Sequence, residues 1–371
     1  MITSSYPTGD SPAAGIFIAE LADALQDAGN EVMVAAPGTM DEDSEGLATP
    51  LSAKSGVFYG PGVEQNLKRN PFRVFPLTMD VLKALPKLSV MAAMSDLVMV
   101  HWLYPYGAAV ARMRRLWNRP LVVVLHSVSP MAFRLSPFTR RAIENTDLFV
   151  AVSETIKENF LSALSSSTRS IAAPKTKVIP LGTPPRVGML RQGGQGVLRA
   201  LFLGRLVKIK GPDIAVNAVR DTQKISLTIA GSGPMYEALQ RQADHENTNF
   251  TGFVHPDAVA DLMNRHDCLI LPSRRMFGGR QEGLPMVLKE AATTGLPVVV
   301  SPFGSPHQFV EKYKCGEVLS DLNSSSLRQV LTRLHDQPQH LTQFSENALQ
   351  AAKDFTWPRV LPMWISAIER L

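Results

Sequence analysis

Short β-branched apolar runs alternate along the chain with longer stretches whose apolar residues recur at helical spacing. Residues 31–36, 97–100, 121–125, 147–152 and 177–179 are apolar runs with polar ends, the pattern of parallel strands buried on both faces. Between them, 15–28, 106–117 and 154–164 carry the 3.6-residue period of helices. The glycine-rich stretch 186–196 has no period and predicts a linker. The alternation then restarts. Residues 198–203, 226–230, 250–251, 268–271 and 297–301 predict strands, and 212–220, 234–244, 256–264 and 285–294 predict helices. Helices such as 212–220 and 256–264 open on proline, where a missing N–H costs nothing. The whole predicts an α/β chain with parallel sheets. Its N-terminal Rossmann-like domain covers 1–185, the linker 186–196 and a second such domain 197–355. A last apolar helix, 356–371, is expected to pack back on the first domain.

The length of 371 residues suits two domains, and a chain 45% hydrophobic and 19% charged is globular rather than disordered. Two cysteines, Cys268 and Cys315, form no disulfide framework, which implies a reducing compartment. No run approaches the roughly 18 apolar residues of a spanning helix, and the first residues lack the basic and long apolar regions of a signal peptide. A cytoplasmic placement is therefore expected. The net charge of +5 is unevenly spread. Segment 66–141 holds twelve basic residues against only Asp80 and Asp96. Such an excess suits an anionic membrane surface, an acidic acceptor or a solvated face. No nucleic-acid reader motif accompanies it, so no nucleic-acid partner is expected.

Three stretches of the second half carry candidate chemistry. Gly204, Arg205 and Lys210 follow a strand and precede the helix at Pro212. Two cations there, with helix N–H groups, suit a diphosphate at rest and as it leaves; a solvated basic turn is the alternative. Gly231 and Gly233 follow the next strand, where glycines let the backbone approach a ligand or simply turn. The third stretch is the most specific: Glu282, Gly283, Leu284, Pro285, Met286, Val287 and Glu290. The N–H groups of its helix start face an anion, and Glu290 is placed to accept two hydrogen bonds from a ribose diol. The alternatives are that Glu290 pairs with a nearby lysine and that Glu282 caps the helix. In the first half, Gly15 opens a helix after the N-terminal segment, a second anion-binding arrangement. His101 and His126 end two strands, where a histidine hydrogen-bonds a sugar, shuttles a proton or is held by backbone. No Asp-x-Asp run or Cys/His ligand spacing predicts a metal.

In order and spacing, these stretches resemble the retaining glycosyltransferases of the GT-B group known as family four. The resemblance runs from Ser5-Tyr6-Pro7 and Gly15 through Gly29-Asn30-Glu31-Val32, His101-Trp102, His126 and Val178-Ile179-Pro180-Leu181-Gly182. It continues through Gly204-Arg205-Leu206, Lys210-Gly211 and Gly231-Ser232-Gly233-Pro234 to the paired glutamates. With Phe277-Gly278-Gly279-Arg280 before it, the glutamate motif looks like the polysaccharide-assembly branch. The resemblance implies two facing Rossmann-like domains with a cleft between them. It implies a nucleotide-diphosphate sugar as donor, a glycan or lipid-linked acceptor, no cofactor and no metal. Arg205 and Lys210 would hold the diphosphate and steady its departure, and Glu290 would bind the ribose. Glu282 and the backbone of 283–287 would orient sugar and phosphates, with Gly204, Gly231, Gly233 and Val254 completing the donor site. Gly15 would approach the diphosphate, His126 would contact the sugar, and His101 would stand on the acceptor side. The reaction would retain anomeric configuration, the leaving phosphate helping to deprotonate the acceptor on the face it leaves.

The chain departs from the family pattern in three places. Its first strand is short, predicting a weakened edge of the N-terminal sheet. Gln308 stands where glutamate is common, and Leu181 where asparagine is usual. Two other functions fit the same residues: a sugar phosphorylase or nucleotide-sugar epimerase, and a catalytically silent nucleotide-sugar-binding partner.

Overall fold

The computed structural model describes residues 1–7, 14–38, 48–51, 53–59, 63–128, 139–191, 196–275 and 284–371. They form two compact units, Met1–Gly182 with Val360–Leu371, and Thr183–Arg359.

The first unit is a parallel sheet. Its strands are β1 (Val34–Pro37), β2 (Ala48–Leu51), β3 (Val98–His101), β4 (Leu121–Leu125), β5 (Leu148–Ala151) and β6 (Thr176–Val178). β1 pairs with β2, and β3 to β6 pair in sequence. Residues 1–3 join the two rows, because Ile2 bridges both Ala35 and Val100. Ile2 N donates to Met99 O at 2.8 Å and Thr3 N to Ala35 O at 2.9 Å. The weakened edge that the sequence predicts is thereby corrected: these residues lie in the middle of the sheet, hydrogen-bonded on both sides. All residues of β3, β4 and β5 are buried, which is why they read as unbroken apolar runs. The helix Ile16–Asp27 buries Ile18, Leu21, Ala22 and Leu25, neighbours on one helical face. The 20-residue helix Val74–Ala93 buries Leu77, Val81, Ala84 and Leu88.

The second unit has six parallel strands: β7 (Leu198–Leu203), β8 (Ile225–Ala230), β9 (Thr248–Gly252), β10 (Cys268–Leu271), β11 (Val298–Val300) and β12 (Gly316–Val318). Their spatial order is β12-β11-β10-β7-β8-β9. That is the doubly wound order, and its direction reverses between β7 and β10. Helices Ser324–Asp336 and Gln339–Ala352 add buried apolar residues to this unit.

Part of the predicted linker is packed structure. Met189 N donates to Thr294 O at 3.2 Å. Arg191 is buried, its guanidinium donating to His266 O at 2.9 Å, Met263 O at 3.0 Å and Met189 O at 2.8 Å. Glycine content hid these contacts, because they are made by backbone and by one arginine. Residues 192–195 of the linker lie outside the described residues. The helix Trp357–Ile368 contains the division between units, its residues from Val360 onward grouping with the first. Buried Trp364 donates through Nε1 to Pro180 O at 2.9 Å.

Candidate functional site

In an open parallel sheet, ligands bind at the carboxyl ends of strands where the order reverses. In the second unit that point lies between β7 and β10, and the loops leaving both strands are stitched together. Arg274 N donates to Ile209 O at 2.7 Å. The Arg274 guanidinium grips both carboxylate oxygens of Asp213, at 2.7 and 2.6 Å, and also donates to Lys208 O at 2.9 Å. Burial alone would raise the Asp213 pKa, but the hydrogen bonds and charge of Arg274 hold it below the usual carboxylate range. This fork fixes the loop that carries Arg205 and Lys210. A Cβ on Gly211 would fall 2.1 Å from Pro272 O, so the two loops meet where only glycine fits.

Arg205 is exposed and Lys210 half-buried. Burial and the positive charge of Arg205 push the Lys210 ammonium down to about 7. A lysine destabilised by desolvation and by a like charge is restored by an anion between the two cations. The expected binding group is therefore a polyanion, and its binding should draw a proton onto Lys210 near neutral pH.

The Gly231–Gly233 turn has a structural use. A Cβ on Gly231 would fall 2.0 Å from Gly204 O, and one on Gly233 2.6 Å from Leu206 O. Leu206 N donates to Ser232 O at 2.8 Å. These glycines let one loop lie against the other and so hold Gly204 and Arg205 in place. Val254 is half-buried after β9 and, like Leu284 and Val287, packs against the apolar cluster that includes Leu271 and Leu288.

The helix Met286–Thr293 follows Pro285, its N-cap. Glu290 projects from its second turn and lies 3.9 Å from Arg186, both side chains being more than four-fifths buried. Burial raises the Glu290 pKa and Arg186 opposes the rise. The partner is thus Arg186, from the predicted linker, and Lys289 is turned away over the Phe355 ring. Glu282, Gly283 and the stretch 277–280 lie outside the described residues. Leu181 is buried and Gln308 exposed. Arg186, Asp213 and Arg274 are additions the sequence did not offer, since each matters through a long-range partner.

The first unit has its own cluster at the carboxyl end of its sheet. Gly15 caps the helix Ile16–Asp27 in the left-handed region, at φ 65°, and a Cβ there would fall 2.3 Å from Ser5 O. His126, just after β4, is ringed by Phe17 at 4.8 Å and Trp102 at 4.7 Å between ring centroids. Trp102 holds φ 66°, a strained backbone conformation for a bulky residue. Its N–H donates to Val124 O at 2.8 Å, which fixes the strand end there. His101 is buried behind His126, and His101 Nδ1 lies 2.8 Å from His126 Nε2. Burial, then the nearby His126, hold the His101 pKa well below its ordinary value, so it is neutral.

One proton occupies the bond between the two rings. His101 Nε2 is buried without a hydrogen-bond partner among the described residues. An unpaired lone pair costs less there than an unpaired N–H. The arrangement expected is therefore His101 protonated on Nδ1 and donating to His126 Nε2, with His126 as the Nδ1–H tautomer. Imidazole ¹⁵N spectra should show that tautomer in the native protein. His101→Phe should shift it toward Nε2–H, and His101→Asn, which keeps a donor at the Nδ1 position, should restore it. An unchanged His126 spectrum in His101→Phe would refute the assignment.

The comparisons agree with this architecture. The family model "Glycosyltransferase Family 4" matches residues 14–186, and "Glycosyl transferases group 1" matches 195–351. An uncharacterized glycosyltransferase of Methanocaldococcus jannaschii, MJ1178, is 24% identical over 71% of this chain and 72% of its own length. D-inositol 3-phosphate glycosyltransferase 2 of Catenulispora acidiphila is 22% identical over 94% of this chain and 88% of its own. The crystal structure of Anabaena Alr3699/HepE in complex with UDP shares the fold, with a TM-score of 0.74, 19% identity and coverage of 100% and 99% of the two chains.

Proposed function

This chain belongs to the GT-B glycosyltransferases of group 1 and family 4, and we propose that it transfers a sugar from a nucleotide-diphosphate donor to a glycan or lipid-linked acceptor with retention of anomeric configuration. The observation that carries the donor assignment is Lys210, pushed down to about 7 beside Arg205 at the strand-order reversal of a doubly wound sheet. A diphosphate relieves that repulsion on binding, and more so as bond cleavage builds charge on the leaving phosphate.

The remaining roles follow. Glu290 accepts hydrogen bonds from the ribose diol, and Arg186 favours its charged form against the burial that raises its pKa. The N–H groups of Leu284, Met286 and Val287 face the phosphates; Glu282 and Gly283 are assigned to the sugar from their place in the motif. Gly204, Gly231 and Gly233 shape the loop beneath the diphosphate, and Val254 borders it. In the first unit, His126 hydrogen-bonds a sugar hydroxyl, Gly15 gives backbone close approach to phosphate, and His101 acts through His126. The leaving phosphate accepts the acceptor's proton. Two side-chain cations and a helix N-terminus supply the neutralisation that a divalent ion would otherwise give, so transfer is proposed to need neither metal nor cofactor. A lipid-linked acceptor places the enzyme peripherally on the inner face of the cell membrane, in polysaccharide or glycolipid synthesis.

The test is sugar transfer from UDP- and GDP-sugars to glycan and membrane-lipid acceptors, with the product's anomeric configuration read by proton NMR. Retention and release of nucleoside diphosphate are expected. Inversion, or phosphate-dependent turnover without any nucleotide, would overturn the reading. A pH series gives a second check. Nucleotide binding raises the Lys210 pKa, so affinity should be full below pH 7 and fall by up to about tenfold per unit above it. Lys210→Arg, which stays charged, should flatten the profile. A profile equally steep in that variant would remove Lys210 from the site.

A further inference from the structure

The helix Val74–Ala93 is apolar on both faces. Its inward face carries Leu77, Val81, Ala84 and Leu88. On the opposite side Phe75, Met79, Leu82, Pro86 and Val90 recur at steps of three and four, all exposed. Phe72, in the short turn before the helix, and Leu116 extend this surface, and all of these but Pro86 are at least half exposed by measured area. Leu116 belongs to the turn Arg114–Leu116, tied to the helix where the Trp117 indole donates to Ser89 Oγ at 3.2 Å. The helix's one acidic residue, Asp80, is turned inward and accepts from Ser55 N at 2.8 Å. A helix whose outer face meets only water carries charge there. A contiguous apolar face of this kind marks an interaction surface.

Charge identifies the occupant. Arg69, Lys83, Lys87, Arg112 and Arg115 are exposed around this surface. Elsewhere in segment 66–141, Arg114 pairs with Asp147 at 2.6 Å and Arg140 with Glu144 at 2.9 Å. Face-to-face association of two copies would press like-charged rims together. An anionic bilayer accepts both parts, the apolar face among acyl chains and the rim among headgroups. No helix among the described residues is long and apolar enough to cross a membrane. This one spans about 30 Å and would lie in the interface plane.

We infer that Phe72, Phe75, Met79, Leu82, Val90 and Leu116 form a docking surface that inserts into an anionic lipid bilayer. The inference deepens the lipid-linked reading of the acceptor, and vesicle binding without donor tests it separately. The assay is co-sedimentation of the full chain with phosphatidylcholine vesicles, with and without phosphatidylglycerol. Nucleotide-induced thermal shift serves as the control for fold. Binding should require the anionic lipid and weaken with salt. Phe75→Ser with Leu82→Ser, and separately Lys83→Glu with Lys87→Glu, should each lower vesicle affinity roughly tenfold or more, the nucleotide shift staying unchanged. Tryptophan placed at Phe75 should be quenched by brominated acyl chains. No binding to anionic vesicles, native-like binding by either double variant, or a dimer in solution that Phe75→Ser with Leu82→Ser dissolves would overturn the inference. If vesicle binding fails while sugar transfer to a soluble acceptor proceeds, the docking surface is wrong and the transferase reading stands.

Discussion

Replacing Lys210 with alanine should lower kcat by about 10²–10³-fold, the usual cost of removing one preorganised donor from a site where charge builds in the transition state. The loss should fall mainly on kcat, because the diphosphate carries more charge as it leaves than while bound. Arg205→Ala should act in the same direction, and the double variant should lose less than the product of the two, since both cations serve one leaving group. Stability should move the other way. The folded-state pKa of Lys210 lies near 7, below its ordinary 10.5. Between those values the unfolded chain binds more protons, so stability rises with pH across that window. Lys210→Ala removes this strain, so its thermal midpoint at pH 7 should match or exceed that of the native protein while the nucleotide-induced shift is lost. Normal turnover in Lys210→Ala would end the diphosphate assignment.

Glu290→Gln should weaken donor binding by about ten- to a hundredfold, the loss expected when hydrogen bonds to a buried charged acceptor are removed. Part of that loss would come from Arg186, left buried opposite a neutral amide at a site where the native ion pair spans 3.9 Å. A nucleotide lacking ribose hydroxyls separates the two contributions. The native protein should bind the deoxynucleotide more weakly than the ribonucleotide, whereas Glu290→Gln, which keeps one neutral amide oxygen as acceptor, should show a much smaller preference. That difference between differences isolates the diol contact from any general disturbance around Arg186. An equal preference for ribonucleotide in both proteins would mean that Glu290 does not touch the ribose.

Legibility followed burial. β4, β7 and β10 match their predicted spans to the residue: burial on both faces writes an unbroken apolar run in β4 and β10, and in β7 only the exposed Arg199 interrupts it. Edge strands β2 and β12 left no such trace. The helix Val74–Ala93 escaped for the opposite reason: it is apolar on both faces, so the contrast that reveals a helical period is missing. The two histidines were legible as strand ends. Their bond to each other was not, nor was the order in which they stand, His101 behind His126. Arg186 was hidden in glycine-rich sequence, and the Asp213–Arg274 fork joins residues 61 positions apart. Pairings of that kind are set by sheet order, and no local pattern announces them.

Calorimetric titration of UDP and GDP into the native protein and into Lys210→Ala and Glu290→Gln addresses the donor site most directly. The account predicts saturable binding of one of these nucleotides without added metal, proton uptake on binding near pH 7.5, and affinity at least tenfold weaker in each variant. Equal affinity in all three proteins, or no nucleotide binding by the native one, would contradict it.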